Sequence, residues 1–193
     1  YAAPERLYAL YHMALSHPKI IGISIATRPD CLPAPVLDVI KQCQMEFPDK
    51  FVWIELGLQS VHEKTALYIR RGYPLSCFEG ALETLQTMSV PVIVHVILGL
   101  PGETRADMLA TIDYLSHKNI FGIKLQLLHV LRGTDLAAEY ERGVFSCLSK
   151  EAYIDLLCSC IDHLNPAIVL HRVTGDGPKD LLIAPIWSLQ KRE

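Results

Sequence analysis

Strand-like alternation and helix-like spacing of apolar residues take turns along the chain. From Val92 to Leu98, Val92, Val94, Val96 and Leu98 alternate with Ile93, His95 and Ile97. Both faces are therefore apolar except at His95, the pattern of a strand covered on both sides. Leu100-Pro101-Gly102-Glu103 has Pro and Gly where a type II turn takes them, and Thr104 with Asp107 has the spacing of a capping box. This strand is expected to end at a helix N-terminus.

The same reading covers the rest of the chain. Pro4–Ser16 carries Leu7, Leu10, Tyr11, Ala14 and Leu15 at helical spacing, and His17-Pro18 ends it. Ile20–Ala26 reads as a strand, Thr27–Asp30 as a loop, Pro35–Phe47 as a helix and Phe51–Leu58 as the next strand. Ser60 with Glu63 and Ser76 with Glu79 read as two more capping boxes, opening helices to about Ile69 and over Cys77–Met88. After the helix from Thr104 to about His117, a strand is expected over Gly122–Leu128 and a helix from Arg132-Gly133-Thr134 to about Arg142. A helix over Lys150–Leu164, stopped by Asn165-Pro166, precedes a short strand at Ile168–Val173.

Strand alternating with helix implies right-handed βαβ units and a parallel sheet, so the fold class is α/β. Strands in such a sheet are usually apolar on both sides, yet successive strands here each place polar groups on one side: Ser24, then Glu55 and Gln59, then His95, then Lys124 and Gln126. That pattern points to a wet concave inner wall, as in a partial or open barrel, rather than the filled interior of a closed eight-stranded one. Ligands of parallel sheets bind at the C-terminal ends of the strands.

Composition narrows the function classes. The 193 residues, 50% hydrophobic, can bury one substantial core, and 18 basic against 21 acidic side chains leave no footprint for nucleic acid or an anionic membrane. No apolar run approaches the roughly 20 residues of a membrane span, and the N-terminal stretch lacks the order of a signal peptide, so a cytoplasmic location and no membrane partner are expected. The chain opens at Tyr1 inside an apparent helix, so further sequence is expected upstream. Cys31, Cys43, Cys77, Cys147, Cys158 and Cys160 show neither CxxC nor paired zinc-ligand spacing and read as reduced core or loop thiols.

Each polar position also has a bland reading. Glu55 could be the ion-pair partner of Lys124, His95 a satisfied core histidine, Gly99–Gly102 a turn that packs, and Arg70-Arg71-Gly72 a solvated helix end. Together they are more specific. Thr27-Arg28-Pro29-Asp30, Glu55-Leu-Gly57-Leu-Gln59-Ser60, Arg70-Arg71-Gly72 and His95-Val-Ile-Leu-Gly99-Leu100-Pro101-Gly102-Glu103-Thr104, in this order, resemble a radical S-adenosylmethionine (SAM) enzyme of the group containing the Elongator catalytic subunit and oxygen-independent coproporphyrinogen III oxidase. Lys124, Leu128-His129-Val130, Arg132-Gly133-Thr134 and His171-Arg172-Val-Thr174-Gly175-Asp176, with Pro178 and Asp180, narrow it to the YhcC-like radical SAM proteins.

The resemblance implies a partial TIM-type (β/α)6 barrel in which a [4Fe-4S] cluster, held by a CxxxCxxC loop after the first strand, reductively cleaves SAM. The products are methionine and a 5′-deoxyadenosyl radical that abstracts hydrogen from a substrate. Residues 1–193 would form the C-terminal part of that core, without its first two strands, plus an extra strand and loop at about 165–193. The cluster cysteines are expected upstream of Tyr1, and residues 1–193 alone are expected to be inactive.

By the same resemblance, Gln59 and His95 would meet the SAM ribose and Arg71 its carboxylate, while Gly99, Leu100 and Pro101 would flank the adenine. Ala26 stands where several relatives have a carboxylate for the SAM amino group, leaving Ser24, Thr27 and Glu55 as candidates for that contact. Lys124, Gln126, His129 and His171 would face the substrate, whether a small molecule, RNA or protein. A flavodoxin or ferredoxin would donate the electron, and the open sheet edge would favour self-association. Two rival readings are an α/β-barrel lyase using Lys124 as a Schiff-base amine and a cluster-free binding scaffold.

Overall fold

A computed structural model describes residues 2–190. Its elements run α1 Pro4–Ser16, β1 Gly22–Thr27, α2 Ala34–Glu46, β2 Phe51–Gln59, α3 Glu63–Tyr68, α4 Leu75–Thr87, β3 Val92–Leu98 and α5 Arg105–Ser116. They continue with β4 Gly122–Leu127, β5 Val130–Leu131, α6 Asp135–Glu141, α7 Lys150–His163, β6 Val169–Arg172 and β7 Leu182–Ala184. Five strands form one parallel sheet in the order β1-β2-β3-β4-β6, so β1 and β6 are its edges. The parallel α/β architecture and the order of the elements agree with the sequence pattern. No helix among the described residues is long and apolar enough to cross a membrane.

The two faces of the sheet differ as the alternation requires. Val52, Ile54, Leu56 and Leu58 of β2, Val94 and Val96 of β3, and Ile123 and Leu125 of β4 are buried against the helices, with Ile40, Phe78, Leu85, Ile112 and Leu156 on the helix side of that core. On the opposite face the polar residues line up through the register, where His95 pairs with Lys124 and Ile97 with Gln126. Nearer the N-terminal ends, Phe51 stacks on Trp53 at 4.0 Å, and Trp53 meets Phe121 at 5.1 Å and His171 at 5.5 Å. The inner wall thus has an aromatic floor with a polar layer above it.

The turn after β3 forms as expected. Glu103 N donates to Leu100 O at 3.2 Å, and Gly102 has φ +82°, a value that favours glycine at the third position of a type II turn. Thr104 and Asp107 close the predicted capping box at the start of α5.

The other two capping boxes do not form. His62 is the N-cap of α3, and the Ser60 hydroxyl donates to Glu103 instead. The Glu63 carboxylate turns away to accept from Leu75 N at 2.5 Å and Arg71 Nη2 at 3.4 Å. The helix α4 starts at Leu75 with Pro74 as its N-cap, which puts Ser76 inside the helix, while Glu79 accepts from Tyr114 at 2.8 Å and Lys118 at 3.2 Å. In both cases a tertiary partner takes the group that the local motif needed. The alternation also missed β5 and β7, an antiparallel pair too short to show periodicity.

Candidate functional site

Above the polar layer, at the C-terminal ends of the strands, the structure holds a cavity of about 490 Å3. Four of the five strand ends contribute: Arg28 follows β1, Gln59 ends β2, Ile97 and Leu100 come from β3 and its turn, and Leu128 follows β4. Tyr68, Arg70 and Arg71 close one side and α6 the other. Two polar links join these walls, the Tyr68 hydroxyl donating to Glu139 and Arg70 Nη1 lying 2.7 Å from Asp135 Oδ2.

Gln59 is aimed by the backbone. The β2–β3 register shifts between Gly57 and Gln59, and Gln59 has φ +68°. A side chain in the left-handed region is uncommon outside glycine and asparagine. Here the bulge ends the strand, and Gln59 lines the cavity with its Nε2 3.1 Å from where a Cβ on Gly57 would stand.

Arg71 is buried, its side chain 2% exposed. Its Nε donates to Tyr73 O at 2.9 Å, and Nη1 to Leu58 O at 3.2 Å and Ser60 O at 2.7 Å, with Glu63 at Nη2. The reading of a solvated helix end therefore fails for Arg71, while Arg70 and Gly72 on either side are exposed. The fork is already engaged by the protein's own acceptors, and Arg71 ties the end of β2 to the segment after α3.

Below the cavity the polar residues form one network. Glu55 accepts from the Ser24 hydroxyl at 2.7 Å with one oxygen, and the other lies 2.8 Å from His95 Nε2 and 2.6 Å from Lys124 Nζ. Burial pushes the Glu55 carboxyl upward, but the hydrogen bonds from Lys124, Ser24 and His95 outweigh it and hold the pKa at about 2. Glu55 is thus the anion of an ion pair with Lys124, as the bland reading had it.

His95 is satisfied on both nitrogens. Gln126 Nε2 is 2.9 Å from His95 Nδ1, and an amide nitrogen can only donate, so Nδ1 accepts and the ring proton sits on Nε2, facing Glu55. Burial lowers the imidazole pKa from its ordinary value, with Glu55 opposing.

The remaining predicted residues are spread around these two layers. Thr27 borders a second cavity of about 730 Å3 between α1, β1 and α2, not the one above the sheet. Of Gly99, Leu100 and Pro101, Leu100 lines the cavity. His171 belongs to the aromatic floor, where burial lowers its pKa. His129 lies under the loop after β6, 3.4 Å from where a Cβ on Gly177 would stand. Sequence reasoning gave no role to Arg28, although it singled out the motif, nor to Tyr73, and it predicted the helix α6 without placing it at the cavity.

Residues 3–115 match the model of the radical SAM superfamily, and residues 120–193 match that of the radical SAM C-terminal domain. The chain belongs to the radical SAM superfamily. Similar proteins include the uncharacterised protein YtqA of Bacillus subtilis, 39% identical over all of this chain and 59% of its own length. Protein YhcC of Escherichia coli is 34% identical over 97% of this chain and 60% of its own. The YhcC-like grouping expected from the motifs is thereby supported. This radical SAM chain spans about three fifths of the length of these relatives. A solved structure of the Methanocaldococcus infernus Elp3, truncated at its N-terminus, superposes with a TM-score of 0.73 at 20% identity, over 84% of this chain and 38% of that one. At that identity the likeness shows the fold, a parallel sheet consistent with a partial barrel.

Among the described residues, no group of three or more His, Cys, Asp or Glu is placed to hold a metal ion. The residues present therefore do not fit an iron–sulfur cluster. They do fit SAM. The cavity size is in the usual range for a ligand of that class, apolar side chains stand beside a carboxamide and guanidinium groups, and the whole lies at the strand ends.

Proposed function

We propose that residues 1–193 supply the SAM-binding half and part of the substrate-facing wall of a radical SAM enzyme. The cluster ligands would then lie in another part of the protein. The observation that carries this reading is the cavity at the strand ends, with Gln59, Ile97 and Leu100 on its lining, in a chain of this superfamily. When bound, SAM with a [4Fe-4S] cluster supplies a 5′-deoxyadenosyl radical for hydrogen abstraction.

This chain's own residues bind, orient and exclude water. The Gln59 carboxamide can both donate to and accept from a ribose hydroxyl. Ile97 and Leu100 offer apolar contact to an adenine, and the backbone of Gly99 and Pro101 lies beside them. The layer of Glu55, His95, Lys124 and Gln126 forms the base of the chamber. Because Glu55 takes up both Lys124 and His95 Nε2, these groups present a fixed polar surface, and the ammonium is occupied by an ion pair rather than offered as a Schiff-base amine. The substrate, whether a small molecule, RNA or protein, would meet this surface and the loop over His129. Cytoplasmic location and a flavodoxin or ferredoxin as electron donor complete the proposal.

The test uses the whole protein, reconstituted with iron and sulfide without oxygen. Chromatography after adding SAM and a strong reductant should detect 5′-deoxyadenosine. Its absence from a preparation with full iron content would overturn the reading in favour of a binding scaffold.

A further inference from the structure

We infer that α6 is a gate over the cavity, held shut by the Arg70–Asp135 and Tyr68–Glu139 links, and that the ligand passes between α6 and residues 68–70. This rests on the cavity being the SAM site. All four linking residues line the cavity, and they do so from facing walls, so both links cross its mouth. The side chains of Arg70 and Asp135 are 78% and 75% exposed, and an ion pair that open to water contributes little stability. The links define a closed position and break at small cost.

Three features let α6 move as a unit. It is capped by its own residues at both ends. Thr134 Oγ1 accepts from Ala137 N at 3.1 Å at the start, and at the end Gly143 N donates to Tyr140 O at 2.9 Å and Val144 N to Glu139 O at 3.1 Å, so a shift of the helix orphans none of these groups. Its apolar side sits in a small cluster apart from the main core, where Leu136 and Tyr140 pack on Val130, Ala137 and Ala184. The turns beyond its ends are open, since a Cβ on Gly133 or Gly143 would meet nothing within 4 Å.

The facing wall carries the strain. Arg71 N donates to Ala66 O at 2.8 Å and Arg70 N to Leu67 O at 3.1 Å, which closes α3 with Arg70 at φ +55°. Glycine is the usual occupant of that left-handed position. Here an arginine holds it, and its Nη1 lies 2.7 Å from Asp135 Oδ2. With so exposed a side chain, no internal packing offsets the backbone cost at Arg70. The link across the mouth is what this residue secures.

The test times the uptake of radiolabelled SAM by the whole, cluster-reconstituted protein and its release into excess unlabelled SAM. Asp135→Asn combined with Glu139→Gln should raise the association and dissociation rates together by about 2- to 30-fold, the span for losing two exposed links, and leave Kd unchanged. Arg70→Gly should match Asp135→Asn and add nothing to it, because both break one link. It should also melt no lower than wild type, because glycine relieves the left-handed backbone. In the SAM-free protein, amide exchange over Asp135–Glu141 should quicken in these variants while that of α5 stays the same. Unchanged rates, or a Kd weakened by faster release alone, would overturn the gate while the SAM site stands. Equal amide exchange in wild type and variants would overturn it too. A wild-type protein that binds no SAM would overturn the reading of the cavity and this inference with it.

Discussion

Lys124 Nζ lies 2.6 Å from Glu55 Oε2 on the inner wall of the sheet, both side chains 14% exposed. The pair makes the fold sensitive to acid. Glu55 has a depressed folded value of about 2 against an ordinary 4.5, so its contribution to stability is complete above about pH 4.5 and is lost as pH falls through about 2. The shift corresponds to about 3 kcal/mol. Urea unfolding between pH 2 and pH 6 should show wild-type stability falling in that window, and Glu55→Gln should be weaker at neutral pH and flatter with pH. An equal pH slope in the two proteins would remove Glu55 as the source.

The left-handed backbone at Gln59 separates binding from stability. Gln59→Gly should be more stable than Gln59→Ala by about 1 kcal/mol, because glycine, unlike alanine, adopts φ +68° without a Cβ clash. Both should lose affinity for SAM in the whole protein by the same factor, since both remove the carboxamide. Equal melting temperatures for the two variants would contradict the strain at this position.

Arg71 should behave as a structural residue. Arg71→Lys keeps a charge but cannot reach three carbonyls in different directions, and stability should fall by about 2–4 kcal/mol. Denaturant midpoints measure this directly. Wild-type stability in Arg71→Lys would return the guanidinium to the list of groups available to a ligand.

At Gly122 the strands β4 and β6 approach too closely for a side chain. An added Cβ would stand 2.4 Å from His171 Cδ2 and 2.9 Å from Val169 O. Gly122→Ala should therefore destabilise the protein by about 1–3 kcal/mol. Adding His171→Ala should recover only part, because the carbonyl of Val169 stays. Full recovery in the double-mutant cycle would place the whole conflict on the imidazole.

Most of the frame was legible in the chain because it depends on local period. The apolar positions Val52, Ile54, Leu56 and Leu58 can be buried against helices in only one register, so Glu55 and Gln59 between them share the other face, where His95 is the one polar position of Val92–Leu98. That logic found the inner wall, and Thr104 with Asp107 found the start of α5. It failed at Ser60, where Glu103 takes the hydroxyl and Arg71 and the backbone of Leu75 take the Glu63 carboxylate, and at Ser76, which lies inside α4 while Tyr114 and Lys118 hold Glu79.

The sequence by itself determined an α/β chain with parallel strands, a polar inner face and the motifs of its family, since period, turn chemistry and residue type act over a few neighbouring positions. Only the tertiary structure decided how the charged groups are shared. Glu55 lies 2.8 Å from His95 and 2.6 Å from Lys124 across two strands, Arg71 is enclosed by carbonyls from either side of α3, and Arg28 reaches the cavity with Asp30 behind it. A guanidinium can serve a ligand or the backbone, and which one it serves depends on the acceptors that folding brings within about 3 Å of it.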